Sequence, residues 1–160
     1  MKKLCCCVLV LLIAIVTLTA CGEYTNNYSA AIMTTKSGKN EASMEFDSFE
    51  GTYNLKIKNT IEAETLSFGY KGSLAEGEIN VYIGVDGEKE LLFTIKGGEK
   101  VKNSILLDEK YNNKKTIYVI VESAEKCTDG NFEFSMIGIE PFNVQVNGGD
   151  DVPIGIGGKK

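Results

Sequence analysis

Three residue types that carry much of protein chemistry are missing from this 160-residue chain, which has no histidine, no arginine and no tryptophan. Without histidine, a Ser-His-Asp or Cys-His nucleophile, an imidazole general base and histidine-ligated zinc are all excluded. Without arginine, no guanidinium group can bind a phosphate through two parallel hydrogen bonds. All 17 basic residues are lysines, set against 22 acidic residues, and a net charge of −5 repels nucleic acid. The sequence therefore predicts no nucleic-acid partner.

The first 21 residues have the pattern of an export signal. Lys2 and Lys3 precede an apolar run from Leu4 to Leu18, and small residues follow. The sequence Leu18-Thr19-Ala20-Cys21 resembles the lipobox of bacterial lipoproteins. That resemblance implies cleavage before Cys21, diacylglycerol on its thiol, and a protein held at the extracytoplasmic face of the cell membrane. The alternative is an uncleaved transmembrane anchor, because residues 4–20 are largely apolar and reach the short limit for a span.

Cleavage before Cys21 would leave few cysteines and a more acidic protein. Lys2 and Lys3 would leave with the signal, so that 15 lysines face 22 acids and the net charge becomes −7. Only Cys21 and Cys127 would remain, and a lipid on Cys21 rules out an internal disulfide. Cys127 is then either a small apolar filler or a free thiol that pairs between molecules. The core must be stable through packing alone.

Shifts in composition divide the chain into four parts. Residues 1–20 are the signal peptide, and residues 21–40 are the lipidated N-terminus with a polar tether that has room for one short strand at 31–35. Residues 41–139 alternate apolar and polar side chains and form the β-domain. Residues 140–160 are read as an edge strand at 142–146 followed by a flexible glycine-rich tail.

Within residues 41–139 the alternation predicts about eight short strands separated by turn residues, among them strands at 43–49, 53–57, 117–121 and 132–136. Residues 60–64 are the only candidate for a helical turn. The segment 117–121 is apolar on both faces, which predicts either a central strand or a strand covered by the tether or tail. The predicted fold is an all-β antiparallel sandwich, immunoglobulin-like or jelly-roll-like, with a barrel as the alternative.

The hairpin around Asp86-Gly87 can be predicted in more detail. A two-residue loop would put the apolar residues of its second strand on the face opposite those of its first. A three-residue loop, Val85 to Gly87, pairs Val81 with Leu91 and keeps one apolar face, so the sequence predicts that loop with a glycine bulge. Tyr82 and Leu92 then remain as the only large groups on the outer face.

Candidate site residues are few. With no tryptophan, tyrosine is the best residue for stacking on a sugar ring, and Tyr82, Tyr111 and Leu92 are predicted to contact a ligand. The acidic residues fall at outward positions or in turns, so no catalytic residue is predicted. The Asp129–Asn131 and Asp150-Asp151 segments lack the spacing of a calcium loop, and neither a metal nor a cofactor is predicted.

The segment from Glu78 to Met136 resembles the sandwich domains of small Gram-positive lipoproteins, which implies a fold and no particular activity. The leading hypothesis is a lipid-anchored, non-catalytic surface module that binds a neutral or cationic polymer, a peptide or a protein partner. An alternative is a structural or assembly lipoprotein whose outer strand pairs with the edge strand of a membrane complex. The third hypothesis is a small hydrolase that acts through carboxylates.

Overall fold

The computed structural model describes residues 24–139, which form seven antiparallel strands and one short 3-10 turn. The strands are β1 (Asn27–Ser37), β2 (Glu41–Lys58), β3 (Thr65–Glu76), β4 (Glu78–Val85), β5 (Glu88–Lys96), β6 (Lys100–Leu106) and β7 (Thr116–Ile139), and the 3-10 turn is Glu109–Tyr111. Within this part of the chain no helix has the length and apolar character needed to cross a membrane.

The two longest strands, β2 and β7, each contribute to both layers of a sandwich. The first half of β2 and the second half of β7 join β1, β3 and β6 in the first layer. The second half of β2 and the first half of β7 join β4 and β5 in the second layer. The layers face each other, since the rings of Tyr70 on β3 and Phe93 on β5 stack 4.5 Å apart. The predicted all-β antiparallel sandwich is confirmed.

The core between the layers is built on phenylalanine. Phe46 packs 5.3 Å from Phe49 and 6.4 Å from Phe132, and Phe68 packs 6.1 Å from Phe134, measured between ring centroids. All five rings are buried. These spacings suit offset or edge contacts, which add to the free energy gained from burying the rings themselves. Since Cys127 is the one cysteine of residues 24–139 and is unpaired, this region is stabilised by packing without a disulfide.

The chain passes from one layer to the other along a corner that depends on glycine. β2 bends at Gly51, which has φ +104°, and its register with β7 shifts there. Gly77, with φ +94°, joins β3 to β4 at the same corner, where a side chain would collide with the sulfur of Cys127. Cys127 is fully buried and its Sγ lies 3.0 Å from the hydroxyl oxygen of Ser123. Of the two alternatives for Cys127, the buried filler is confirmed.

Several predicted boundaries need correction. The predicted strands at 43–49 and 53–57 are one bent strand, and so are those at 117–121 and 132–136, because the alternation is interrupted by a bend and not by a turn. Residues 27–37, placed in the tether, form the edge strand β1, which confirms and extends the short strand predicted at 31–35. Residues 60–64 form no helical turn. The signal peptide, Cys21 and residues 140–160 lie outside the described residues.

The β4–β5 hairpin solves its register problem differently from the prediction. Asp86 and Gly87, with φ of 53° and 85°, form a two-residue turn, so the predicted three-residue loop is wrong. The extra residue is placed within the strand: Tyr82 pairs with Leu91, Val81 pairs with Phe93, and Leu92 is left between them as a bulge. The bulge returns Phe93 to the core face. It also leaves Leu91, and not Leu92, 56% exposed.

The first described residues cross the outer face of the second layer. The Tyr24 ring lies 5.0 Å from that of Tyr118 and fits over Gly84, where a side chain would collide with it. Ile120 lies beneath and is 1% exposed. Its segment is both central, between β2 and β4, and covered by the N-terminal chain, as the apolar run at 117–121 predicted.

Candidate ligand-binding groove

The structure does not bring the three predicted contact residues to one surface. Tyr82 lies on the outer face of the second layer, with the Lys89 ammonium 4.2 Å from its ring centroid. Leu92 is half-buried and packs against the core. Tyr111 is 1% exposed, so its predicted exposure is wrong. Only Tyr82 remains a candidate contact on the surface that the sequence indicated.

Tyr111 instead anchors the 3-10 turn inside the sandwich. Its hydroxyl donates to Glu90 Oε2 at 3.2 Å, and Glu90 also contacts the Lys110 ammonium. Burial, followed by the negative charge of Glu90, raises the pKa of Tyr111. The neighbouring Lys110, with its hydrogen bond, lowers the pKa of Glu90. Asn112 and Asn113 mark a loop, and loop residues are normally at the surface, which is why the sequence suggested exposure.

A groove of about 750 Å³ crosses the outer face of the first layer. It runs over β1, β2, β7, β3 and β6, and its polar lining is made almost entirely of short hydroxyl groups and long charged side chains: Thr34, Lys36, Glu41, Ser43, Glu45, Lys71, Lys102, Asn103, Ser104, Asn131, Glu133 and Ser135. This volume lies within the range of small-molecule sites in proteins, roughly 300–1,000 Å³.

Strand register explains the shape of the groove. Ser135 on β7 pairs with Gly69 on β3, and Gly69 pairs with Ser104 on β6, so a row of minimal side chains forms the floor. In the adjacent row, Lys71 pairs with Glu133 on one side and with Lys102 on the other. Since neighbouring strands lie about 4.8 Å apart, the long side chains form a wall beside the low floor.

The charges of the groove are segregated and partly paired. Lys36 contacts Glu41 at 2.5 Å, and Lys71 contacts Glu133 at 2.9 Å. All four side chains are more than half exposed, so each pair contributes little stability and mainly fixes side-chain positions. Glu45 contacts no lysine among residues 24–139. The acids thus lie on the two central strands β2 and β7, and the lysines lie on the strands that flank them, β1, β3 and β6.

One end of the groove is apolar. Ile137 on β7 and Leu106 on β6 both pair with Ser67 on β3, which places them on either side of a small residue. Ile137 is 60% exposed and Leu106 is 65% exposed. Exposed apolar groups at the rim of a polar groove favour a ligand with both hydroxyl groups and C–H surfaces.

The arrangement suits hydrogen bonding better than acid catalysis. Glycoside hydrolysis by two carboxyl groups requires one that stays protonated, which apolar surroundings favour. Glu41 and Glu133 are instead exposed, and each contacts the ammonium group of a lysine. Residues 24–139 hold no cluster of three or more histidine, cysteine or acidic residues that could bind a metal ion.

Sequence reasoning missed this groove because its residues look ordinary in the chain. Alternation around Phe132 and Phe134 does predict that Glu133 and Ser135 face outward. That Ser135 lies beside Gly69, however, depends on which strands are neighbours, and alternation carries no information about pairing order. The one signal of the groove in the sequence was a set of small residues at outward positions on three predicted strands.

The chain was compared with known proteins. No protein-family model and no curated protein sequence matches it. Among solved structures it is similar to a CBM4, with 12% identity over 69% of this chain and 78% of that chain and a TM-score of 0.41. It is also similar to two mutants of family 29 carbohydrate-binding modules. One has 16% identity over 78% of this chain and 88% of that one, with a TM-score of 0.39. The other has 17% identity over 74% and 87%, with a TM-score of 0.36.

Proposed function

We propose that this protein is a lipid-anchored, extracytoplasmic, non-catalytic binding module whose groove binds a polyhydroxylated chain such as a glycan. The observation that carries this proposal is the groove itself. Hydroxyl, amide, carboxylate and ammonium groups line the groove above a floor of serine and glycine. A sugar chain presents hydroxyl groups at its edges and C–H groups on its faces, and it would find partners for both in the walls and in the Ile137–Leu106 end.

The two halves of the proposal have different support. The lipid anchor is supported by the cleavage pattern Leu18-Thr19-Ala20-Cys21 after an apolar leader. Binding without catalysis is supported by the paired, exposed state of Glu41 and Glu133. Because the halves are independent, each needs its own experiment.

For the anchor, the expected result is a defined mass. Expression of the full chain in a lipidating bacterial host should give a membrane-bound protein whose intact mass equals residues 21–160 plus diacylglycerol, with or without a further acyl chain. An inhibitor of the lipoprotein signal peptidase should shift the mass upward by the leader. A mass that retains residues 1–20 in untreated cells would show the transmembrane alternative to be right.

For the groove, filling the floor should weaken binding. Ser135→Met places a long side chain above Gly69, and we expect it to weaken binding of soluble oligosaccharides by about tenfold or more, because a blocked subsite loses its contacts and adds steric conflict. The measurement is a chemical-shift titration with hexamers of glucose and of N-acetylglucosamine. Ser29→Met is the matched control, since Ser29 is exposed on β1 outside the groove. Equal affinity in both variants would place the binding surface elsewhere.

A further inference from the structure

Four lysines from three parts of the chain meet at one end of the sandwich. Lys56 and Lys58 lie two residues apart on β2, Lys39 bridges to Lys58 from the β1–β2 turn, and Lys115 immediately precedes Thr116, the β7 partner of Lys58. With Ser37, Gly38 and Thr116 they line a depression of about 500 Å³. We call Lys39, Lys56, Lys58 and Lys115 the lysine cluster.

The lysine cluster carries uncompensated positive charge. Six lysine–carboxylate pairs occur within residues 24–139, and none of them includes a member of the cluster. Like charges on neighbouring strands repel and destabilise a sheet unless a counter-charge is present. In a protein with a net charge of −5, such a concentration of lysine marks a place that an external anion can neutralise.

The cluster also lies beside the point where the chain would leave the membrane. Tyr24 packs on Tyr118, and Tyr118 is the β7 partner of Lys56. Cys21 is three residues before Tyr24, so the proposed lipid attachment lies at most about 11 Å along the chain from it. The tether predicted at residues 21–40 is thus shortened to the three residues that separate Cys21 from Tyr24. The bilayer surface comes within reach of lysine side chains on this face.

We infer that the lysine cluster docks on the phosphate groups of anionic membrane lipids and sets the orientation of the domain on the bilayer. This inference rests on the proposed lipid anchor for its position. The anchor supplies proximity, and the cluster selects which face of an otherwise acidic protein turns toward the anionic surface. Lys56 shares its outer face with Tyr118, on the second layer, whereas the groove lies on the outer face of the first layer. Docking therefore leaves the groove open to the aqueous phase.

The test attaches the lipid anchor chemically, so that docking is measured independently of lipidation in the cell. Residues 21–160 contain every strand and core residue of the described part of the chain, and Cys127 is fully buried, so Cys21 is the reactive thiol for coupling to a maleimide lipid in vesicles. Each lysine is then acetylated and its rate followed by peptide mass spectrometry. In vesicles that contain phosphatidylglycerol, compared with pure phosphatidylcholine, we expect several-fold slower acetylation at the lysine cluster and unchanged rates at Lys71 and Lys102.

Matched variants test the same surface without coupling. We compare Lys56→Gln/Lys58→Gln/Lys115→Gln with Lys100→Gln/Lys102→Gln/Lys126→Gln, which removes the same charge from exposed lysines elsewhere. At low salt, partitioning onto phosphatidylglycerol vesicles should fall roughly fivefold per cluster lysine, about a hundredfold for the triple variant, and far less for the control. Equal losses in the two variants, or equal acetylation in both vesicle types, would overturn the inference. Protection of the cluster by inorganic phosphate alone, to the same extent, would assign it to a soluble anion instead.

Discussion

Gly51→Ala should destabilise the fold by about 3 kcal/mol or more, because two separate penalties act at one position. Gly51 has φ +104°, a conformation that residues with a Cβ rarely adopt. An added Cβ would also lie 2.8 Å from the Tyr28 Cα and would collide with the Asn27 carbonyl oxygen. Both obstacles are backbone atoms of β1, so relief requires the edge strand to move away from β2. Chemical denaturation followed by tyrosine fluorescence measures the loss.

Gly98→Ala is the control that separates the two penalties. Gly98 also has positive φ, +81°, but nothing lies within 4 Å of its added Cβ. Only conformational strain remains there, and we expect a loss of about 1 kcal/mol. If the two variants were equally destabilised, the close approach of β1 to the bend in β2 would not constrain the fold, and the account of the corner would be wrong.

The fold class was predictable because the strands β2, β3, β4 and β7 each have a buried face. The apolar residues of β3 and the first half of β4 alternate without interruption, and those patterns survive in the structure. The bends were not predictable, since a bulge and a turn interrupt alternation in the same way. The pattern was therefore interpreted as two strands, at 43–49 and 53–57, where the structure has one strand with a kink at Gly51.

The hairpin shows how a correct constraint can give a wrong geometry. A single core face required one residue more than a regular two-residue hairpin has, and the prediction placed that residue in the turn next to Gly87, which pairs Val81 with Leu91. The protein places it at Leu92 instead, within the strand. A turn of Asp-Gly closes well with two residues, since both adopt positive φ, so the local turn preference and the core face are satisfied together. The sequence alone therefore shows that one residue must be left unpaired, but it gives neither the position of that residue nor the partner of Val81, which is Phe93 in the structure.

The groove and the lysine cluster depended on strand order, which alternation does not encode. Lys39 and Lys58 are 19 positions apart in sequence and meet because β2 bends back toward the β1–β2 turn. Only Lys56 and Lys58, on one side of a predicted strand, could have been recognised as neighbours. Functional surfaces on a sandwich are assembled across strands, so they emerge only when the pairing is known.

Tyr111→Ala should destabilise the protein by about 3–5 kcal/mol and leave ligand binding unchanged. Tyr111 is among the largest fully buried side chains, and its removal leaves a cavity that a short 3-10 turn between β6 and β7 cannot fill. This result would separate a packing role from the ligand contact that the sequence first suggested. Thermal or chemical denaturation gives the loss, and oligosaccharide titration of the still-folded variant at low temperature gives the binding. A weakened affinity with unchanged stability would restore the original hypothesis.

Tyr111→Phe isolates the hydroxyl group and adds a pH test. Near neutral pH we expect a loss of about 1 kcal/mol, the usual contribution of a hydrogen bond to a charged partner such as Glu90, reduced by the exposure of that carboxylate.

Because burial and Glu90 raise the pKa of Tyr111, the unfolded chain loses this proton near pH 10 while the folded protein keeps it. Folding stability therefore falls as pH rises above about 10, by at most about 1.4 kcal/mol per pH unit for one proton. Tyr111→Phe lacks this loss, whereas Tyr24, whose pKa burial also raises, is present in both proteins. The difference in free energy of unfolding between the two proteins should shrink and then reverse as the pH rises. If the free energies of unfolding of both proteins fell in parallel with pH, the Tyr111 hydroxyl would not be held in a buried site facing Glu90.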